Sequence, residues 1–206
     1  MKACLLTSDQ FTTTDWSGGK TTQLYLYPEG AHLADRDFRF RISSASFSTD
    51  HSIFSDFTGY QRYLLPLVGQ IGLAHYEKPA DQAHERIAPA AASLLYRRSL
   101  APYQADYFLG HWLTQSTNSL DCRDFNFIVR SGAQAQLALL ERAACYLPKR
   151  QGLLLLYAQE GAEVLLGDQV RRLPAQGLLR LEEKAALYRI LVLSAPKPVV
   201  VCEYRD

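Results

Sequence analysis

Residues 121–132 read D-C-R-D-F-N-F-I-V-R-S-G, and this alternation of polar and apolar side chains predicts a β-strand on which the fold is built. Successive side chains of a strand point to opposite sides of a sheet. Two phenylalanines and a valine therefore form a core-facing surface, and Asp124, Asn126 and Arg130 share the opposite face. Such polar groups are rarely buried without partners. They either satisfy one another in a structural network or line a pocket for a polar ligand, and both alternatives stay open.

The rest of the chain alternates in the same way, over short segments separated by glycine and proline. Before residues 121–132, strands are predicted within Met1–Gln10 and Arg86–Arg98, at His111–Thr114, and at Gln23–Tyr27, Phe38–Phe47, Tyr60–Val68 and Ile71–Tyr76. After them, strands are predicted at Ala133–Leu140, Leu153–Tyr157, Glu163–Leu166, Gln169–Leu173, Leu178–Leu181, Tyr188–Leu193 and Val199–Tyr204. Short strands at this spacing, with almost no helical periodicity, indicate an all-β sandwich or barrel.

One segment of this series, residues 133–140, has features of both a helix and a strand. Residues 133–140 are rich in alanine and leucine, which favour helices by propensity. Gln134 and Gln136 nevertheless alternate with apolar neighbours, and this period of two favours a strand.

The two halves of the chain resemble each other weakly. An apolar strand, a turn with Gly69 and a returning strand in the first half have a counterpart around Gly161 in the second. Two similar β-units in tandem would suit 206 residues, so a duplicated jelly roll is the economical prediction. The irregular segment Ser99–Gly110 then serves as the linker between an N-terminal half, residues 1–105, and a C-terminal half, residues 106–206, of one unit spanning 1–206.

Composition excludes several classes of partner. The formal net charge is +1, and the basic doublets are short and far apart, so no stripe for nucleic acid is present. No apolar run approaches the roughly 20 residues that a membrane span needs. The N-terminus lacks the longer apolar region of a signal peptide, which favours the cytoplasm. The four widely spaced cysteines are expected to be free thiols.

The histidines give no metal-binding pattern. His32, His51, His75, His84 and His111 are scattered, with no H-x-H pair, whereas a metal site needs about three converging ligands. We therefore expect neither a metal nor another cofactor. A metal-free enzyme with a histidine base and a tyrosine acid is the alternative, since such pairs perform acid–base chemistry. No spacing selects a pair, so catalytic residues are not assigned and a binding role is favoured.

Three arginines are better candidates for a site. Arg41 lies on the polar face of its strand, Arg62 begins the next strand, and Arg130 ends the face that also carries Asn126. A guanidinium offers a planar fork of donors that suits carboxylates. The structural alternative is that each arginine pairs with an acidic neighbour such as Asp124 or Asp56.

Trp16 precedes a Gly18-Gly19 turn, and glycines allow close approach of a partner. That partner is either a ligand, which Trp16 would cover, or the neighbouring strand, and packing is the favoured role.

Several motifs, in order, resemble the HutD/Ves family over residues 11–132. They are Trp16-Ser17-Gly18-Gly19 with Thr21, Phe40-Arg41-Ile42-Ser43 with Ala45, Phe54-Ser55 with Phe57, Gly59 and Arg62, Leu67 with Gly69, Phe108 with Gly110, and Asp124-Phe125-Asn126 with Arg130 and Gly132. The chain departs from the family pattern at Gln61, where an acidic residue is common, and at Lys20 after the glycines.

This resemblance implies a bicupin, two jelly-roll barrels in one chain, that binds small ligands. HutD is associated with restraint of histidine utilisation, with urocanate or formylated glutamate as proposed ligands, and the Ves branch with stress responses. We therefore expect metal-independent binding of a small anionic metabolite by a regulator or buffer. The alternatives are a metal-free isomerase or epimerase of the cupin type and a protein-interaction module. Association with further copies of the same chain in a homo-oligomer also stays open. The predicted ligand-binding residues are Trp16, Arg41, Arg62, Asp124, Asn126 and Arg130.

Overall fold

The computed structural model describes residues 2–79, 88–149, 152–182 and 189–206, and within these ranges the chain forms strands, turns and two short 3-10 turns but no α-helix. The strands are β1 (Lys2–Leu6), β2 (Thr12–Trp16), β3 (Gly19–Tyr27), β4 (Phe40–Phe47), β5 (His51–Ile53), β6 (Tyr60–Val68), β7 (Ile71–Glu77), β8 (Ser93–Leu100), β9 (Asp106–Leu109), β10 (Leu113–Asn118), β11 (Arg123–Arg130), β12 (Gln134–Leu140), β13 (Cys145–Tyr146), β14 (Leu153–Ala158), β15 (Ala162–Leu166), β16 (Gln169–Leu173), β17 (Gly177–Glu182), β18 (Ile190–Ser194) and β19 (Val199–Arg205).

A central unit comprises Thr12–Ser131. It contains a six-stranded sheet in the order β2-β3-β4-β11-β6-β9 and a four-stranded sheet in the order β5-β10-β7-β8. Strand β11 lies inside the larger sheet and pairs antiparallel with both β4 and β6. The strand predicted within residues 121–132 is therefore confirmed, and it joins the two strands that carry Arg41 and Arg62.

A flanking unit comprises Met1–Phe11 and Gly132–Asp206. Its sheets have the orders β1-β17-β14-β19-β12 and β13-β18-β15-β16. The first strand of the chain thus pairs with β17, from Lys2 opposite Glu182 to Leu6 opposite Leu178. The strand prediction for residues 133–140 is confirmed, because β12 pairs with β19 along its whole length.

Each unit has its own apolar core between its two sheets. In the central unit, Leu64 and Phe108 from the larger sheet pack with Ile71 and Leu73 from the smaller one. In the flanking unit the core consists mainly of leucine and valine from β14, β15, β17, β18 and β19. The turn with Gly69 lies in the central unit, and its counterpart around Gly161 lies in the flanking unit.

The chain divides differently from the expected halves at residues 105 and 106. Ser99–Gly110 was interpreted as a linker, yet β8 runs to Leu100 and β9 pairs with β6, so this segment belongs to the central unit. The unit boundaries fall near residues 11 and 131 instead. The segment looked irregular because it contains only the last two residues of β8 and the four residues of β9, too few for alternation to be recognised.

Strand β2 and the first residues of β3, which meet at the Gly18-Gly19 turn, were not predicted from the sequence. Strands β2 and β3 form a hairpin from Thr12 opposite Gln23 to Trp16 opposite Gly19. All five residues of β2 are exposed, so the strand carries no hydrophobic alternation that could identify it. Strands β5 and β13 were missed as well, because they have three and two residues.

Some expectations fall outside the described residues, namely the strand predictions at Met1, Arg86, Ile87 and Tyr188 and the interpretation of His84 as one of the scattered histidines. Within the described ranges no helix has the length and apolar character required to cross a membrane.

Candidate functional site

The register of three central strands places the predicted polar residues on one face of the larger sheet. Arg41 on β4 and Arg62 on β6 both lie opposite Ile128 of β11. Two residues earlier on β11, Asn126 lies opposite Ser43 on β4. Strands are about 4.8 Å apart and residues two apart are about 7 Å apart along a strand. Arginines on alternate strands are therefore separated by about 10 Å, with Asn126 and then Asp124 following along β11.

These residues line a cavity of about 270 Å³ within the central unit. We call it the arginine cavity. Its lining comes from the larger sheet, from β5 of the smaller sheet and from the loops before β4 and after β5: Thr14, Trp16, Thr21, Leu33, Arg36, Arg41, Ser43, Ala45, Phe47, Ser52, Ile53, Phe54, Ser55, Phe57, Arg62, Asp124, Asn126 and Ile128. This volume is close to the lower end of the range for small-molecule sites, about 300 Å³, so the cavity suits only a small metabolite.

Arg62 is the most unusual group in the arginine cavity. It is only 5% exposed, and its Nε has no hydrogen-bond partner. Its guanidinium carbon lies 4.7 Å from the ring centroid of Phe54 and 5.1 Å from that of Phe108. Burial lowers the pKa of Arg62 to about 10, and the nearby Asp124 carboxylate opposes this shift. A buried guanidinium held by aromatic rings alone keeps its donors available for an anion.

Arg41 and Asn126 also keep polar atoms available. Arg41 is buried and donates from Nε to Oε1 of Gln23 at 3.1 Å, which leaves its two terminal nitrogens without a partner among the described residues. Burial lowers the pKa of Arg41 to about 10. The Oδ1 atom of Asn126 is buried and unpartnered. Both residues thus present hydrogen-bonding groups to the cavity that the surrounding protein does not satisfy.

Asp124 does not neutralise these arginines by direct contact. Its Oδ1 accepts a hydrogen bond of 2.7 Å from the backbone N–H of Ala45, and no guanidinium of the described residues forms a salt bridge with it. Burial raises the pKa of Asp124 to about 7, and the Ala45 hydrogen bond and both arginines act against this rise. The arginine–carboxylate pairing considered from the sequence is therefore not formed. Asp56, the other candidate partner, pairs with Lys78.

Trp16 forms part of the cavity wall through the β2–β3 hairpin. Its indole Nε1 donates to Oγ1 of Thr21 at 3.1 Å, and its ring meets that of Phe47 edge-on at 6.0 Å. A Cβ atom on Gly18 would lie 2.0 Å from the indole ring. The glycine therefore allows the ring to lie against the turn. Trp16 packs as expected and also lines the cavity, and 36% of it is exposed.

The loop that carries the aromatic wall is held by backbone hydrogen bonds. Phe54 donates to the carbonyl of Thr114 at 2.9 Å, and Phe57 donates to the carbonyl of Gly110 at 2.8 Å. A Cβ on Gly110 would lie 2.3 Å from the carbonyl oxygen of Phe57. Gly110 thus permits the close approach that positions both phenylalanines.

Arg130 shares the strand face but does not line the arginine cavity. It lies at the end of β11, opposite Tyr60, and its Nη2 donates to the carbonyl of Arg36 at 3.1 Å. Arg36 does line the cavity and was not predicted. It occupies a loop, where strand alternation gives no signal, so nothing in the sequence pattern distinguished it from other loop arginines.

No histidine or tyrosine is among the residues that line the arginine cavity. His75 is fully buried elsewhere, with Nε2 3.1 Å from Oδ2 of Asp106 and Nδ1 2.9 Å from Oγ1 of Thr114. His51 is exposed beside Asp50. The histidine–tyrosine acid–base pair considered from the sequence is therefore not assembled in this cavity.

The cavity donors do not fit a metal ion. They include one carboxylate and no imidazole or thiolate, whereas transition metals are held by three or four such ligands. Across the described ranges no group of three or more His, Cys, Asp or Glu side chains is arranged to bind a metal.

Comparison with known proteins gives one family and several similar structures. The family model described as HutD matches residues 8–196. A conserved protein of unknown function from Pseudomonas aeruginosa PAO1 is 25% identical, with 98% of this chain and 97% of that chain covered and a TM-score of 0.73. HutD from Pseudomonas fluorescens SBW25 is 20% identical, with 100% of both chains covered and a TM-score of 0.72.

A cupin-like neighbour extends the comparison of the fold. Protein Ylba from Escherichia coli is 13% identical, with 99% of this chain and 92% of that chain covered and a TM-score of 0.62. At that identity the likeness concerns the all-β, cupin-like fold alone. No curated protein matches the chain at a significant level.

Proposed function

Because this chain belongs to the HutD family, we propose that it binds a small anionic metabolite in the arginine cavity without a metal ion. The observation that carries the proposal is Arg62. Its charge is buried, lies against aromatic rings and has no hydrogen-bond acceptor among the described residues. Leaving a charged donor buried without a partner is costly, and a bound carboxylate would satisfy it.

The proposed ligand is an intermediate of amino-acid catabolism, of the urocanate or formylglutamate type, in keeping with the histidine-utilisation association of the family. The cavity walls suit such a ligand, since Phe54, Phe57 and Trp16 offer apolar contact around the two arginines. Binding would make the protein a regulator or buffer of that catabolism in the cytoplasm. In this proposal the central and flanking units are the two jelly-roll barrels of a bicupin.

A thermal-shift screen of small carboxylates, including urocanate and formylglutamate, tests the proposal. The protein is first dialysed against EDTA, so that a response does not depend on metal. A ligand that binds only the folded state stabilises it by about 2.7 kcal/mol when present at about 100 times its dissociation constant. We expect at least one carboxylate to raise the melting temperature in a concentration-dependent manner.

The variant Arg62→Met separates a ligand-binding role from a structural one. A hydrogen bond to a charged group contributes about 1.5–3 kcal/mol, so affinity should fall by about 10- to 100-fold. Removing an unpaired buried charge should leave the unliganded melting temperature unchanged or raised. The matched control is Arg97→Met, an exposed arginine outside the cavity. A lower melting temperature with an intact carboxylate response would show that Arg62 is structural.

A further inference from the structure

Arg36 places a third guanidinium at the arginine cavity. Its guanidinium carbon lies 3.9 Å from the ring centroid of Phe57, and that of Arg62 lies 5.5 Å from the same centroid. Arg36 is exposed, whereas Arg62 is buried. The two charges therefore lie against one aromatic ring, Arg36 towards solvent and Arg62 inside the protein. The distance between their guanidinium carbons cannot exceed the sum of these two distances to the ring centroid, which a short ligand can span.

The backbone around Arg36 holds it in this position. Its φ angle is +54°, in a left-handed region that residues other than glycine adopt rarely. Its carbonyl accepts hydrogen bonds from the Tyr60 hydroxyl at 2.8 Å and from Nη2 of Arg130 at 3.1 Å. Arg130 also lies over the Tyr60 ring, 5.8 Å from its centroid. Two donors thus fix the loop that presents Arg36 to the cavity.

The charges around the cavity do not balance. Three guanidinium groups line it, from Arg36, Arg41 and Arg62, and Asp124 is the one carboxylate among the lining residues. Arg36 acts on the other two, since its charge adds to the effect of burial in lowering the pKa of Arg41 and of Arg62. Even with Asp124 ionised, two positive charges remain uncompensated, and these like charges repel one another.

We propose that the arginine cavity selects short compounds that carry two carboxylates, one bound by Arg62 and Arg41 inside and the other by Arg36 at the mouth. A dianion would compensate both excess charges, whereas a monoanion would leave one. Arg130 is then a positioning residue that acts through the Arg36 carbonyl. This inference rests on the proposed function, because it specifies the ligand class of the same site.

Calorimetric titration with succinate, glutarate and adipate, each compared with its monoamide, tests the inference. A dicarboxylate and its monoamide match in length and differ by one charge. We expect the best-fitting dicarboxylate to bind about 5-fold more tightly than its monoamide, which corresponds to about 1 kcal/mol, the upper value for one exposed ion pair. The preference should shrink at high salt, because exposed charges are screened.

Arg36→Gln should reduce the ratio of the two affinities towards one, and Arg97→Gln should leave both affinities unchanged. Arg130→Met should also reduce the ratio, and Arg130→Lys, which keeps a donor, should restore part of it. A monoamide that binds as tightly as its dicarboxylate, or an Arg36→Gln variant with an unchanged ratio, would overturn this inference but leave the proposed function standing. Failure of every carboxylate to bind would overturn both.

Discussion

Asp124 lies beside two arginines, yet burial outweighs their effect on its ionisation. Its pKa is raised from an ordinary value of 3.8 to about 7. The folded protein therefore holds this proton more tightly than the unfolded chain does. It follows that the stabilising contribution of the group is complete below about pH 4 and is lost as the pH rises through about 7.

We expect Asp124→Asn to remove this dependence. In the unmodified protein, the free energy of unfolding should fall by up to about 1.4 kcal/mol for each unit by which the pH rises between the unfolded and the folded pKa of Asp124. Denaturant titrations across this range measure the slope of each variant. Asp121→Asn, which changes an exposed carboxylate near the same strand, is the control. Equal slopes for the unmodified protein and Asp124→Asn would contradict the assignment.

At this scale the sequence located part of the candidate site. Arg41, Arg62, Asp124 and Asn126 were found because strand alternation assigns them to one face, and the pairing of β4, β11 and β6 brings the faces together. Arg36 was missed because it lies in a loop with a left-handed backbone. The conformation of such a loop depends on distant donors, here Tyr60 and Arg130, which local sequence does not reveal.

At the scale of elements, the loop from Phe54 to Phe57 lies between β5 of the smaller sheet and β6 of the larger sheet, and it lines the arginine cavity. Its position depends on a close backbone contact at Gly110, where a side chain would lie 2.3 Å from the Phe57 carbonyl. Gly110, which does not line the cavity, thus determines the position of Phe54 and Phe57 in the cavity wall.

Gly110→Ala should displace this loop. The added methyl group cannot be accommodated by rotation of a side chain, because the contact is with backbone. We expect a loss of stability of about 1–3 kcal/mol, as for overpacking in a core, together with weaker carboxylate binding. Denaturant unfolding and calorimetry measure the two effects. Gly30→Ala is the control for backbone strain without a clash: its φ of +87° predicts some loss of stability, but no atom lies within 4 Å of an added Cβ, so carboxylate affinity should not change. Unchanged carboxylate affinity in Gly110→Ala would contradict the role given to the loop.

The predictability of the elements followed their apolar content. Strands with buried alternate residues, such as β6, were predicted with the observed bounds, Tyr60–Val68. Strand β2 is exposed throughout, and β9 has only four residues, so neither contains enough apolar alternation to distinguish it from a loop. Their pairing with β3 and β6 stabilises them instead.

At the scale of the whole molecule, the two units are not successive halves. The flanking unit takes its first strand from residues 2–6 and the remainder from beyond residue 131. The similarity between the halves indicated two β-units, but it gave no information on which unit the first strand would join, because pairing between distant segments leaves no local pattern.

Deletion of Lys2–Leu6 should destabilise the protein without removing ligand binding. It would expose the edge of β17, along which β1 pairs from Lys2 to Leu6, and unpaired strand edges also promote aggregation. Every residue lining the arginine cavity lies between 14 and 128. We therefore expect a lower melting temperature with unchanged carboxylate affinity for the folded fraction. Leu5→Thr, which keeps the backbone pairing, should melt near the unmodified protein. A deleted chain that is equally stable would contradict the role of β1.

The pairing of β1 with β17 also sets an order for events during translation. Ribosomes add about 5–20 residues per second, so β1 is complete roughly 10 to 30 seconds before its partner strand exists. All of the central unit is synthesised within that interval. During this interval β1 has no partner strand, so the flanking unit cannot complete its first sheet. The central unit, which carries the arginine cavity, by then contains every strand of its own two sheets.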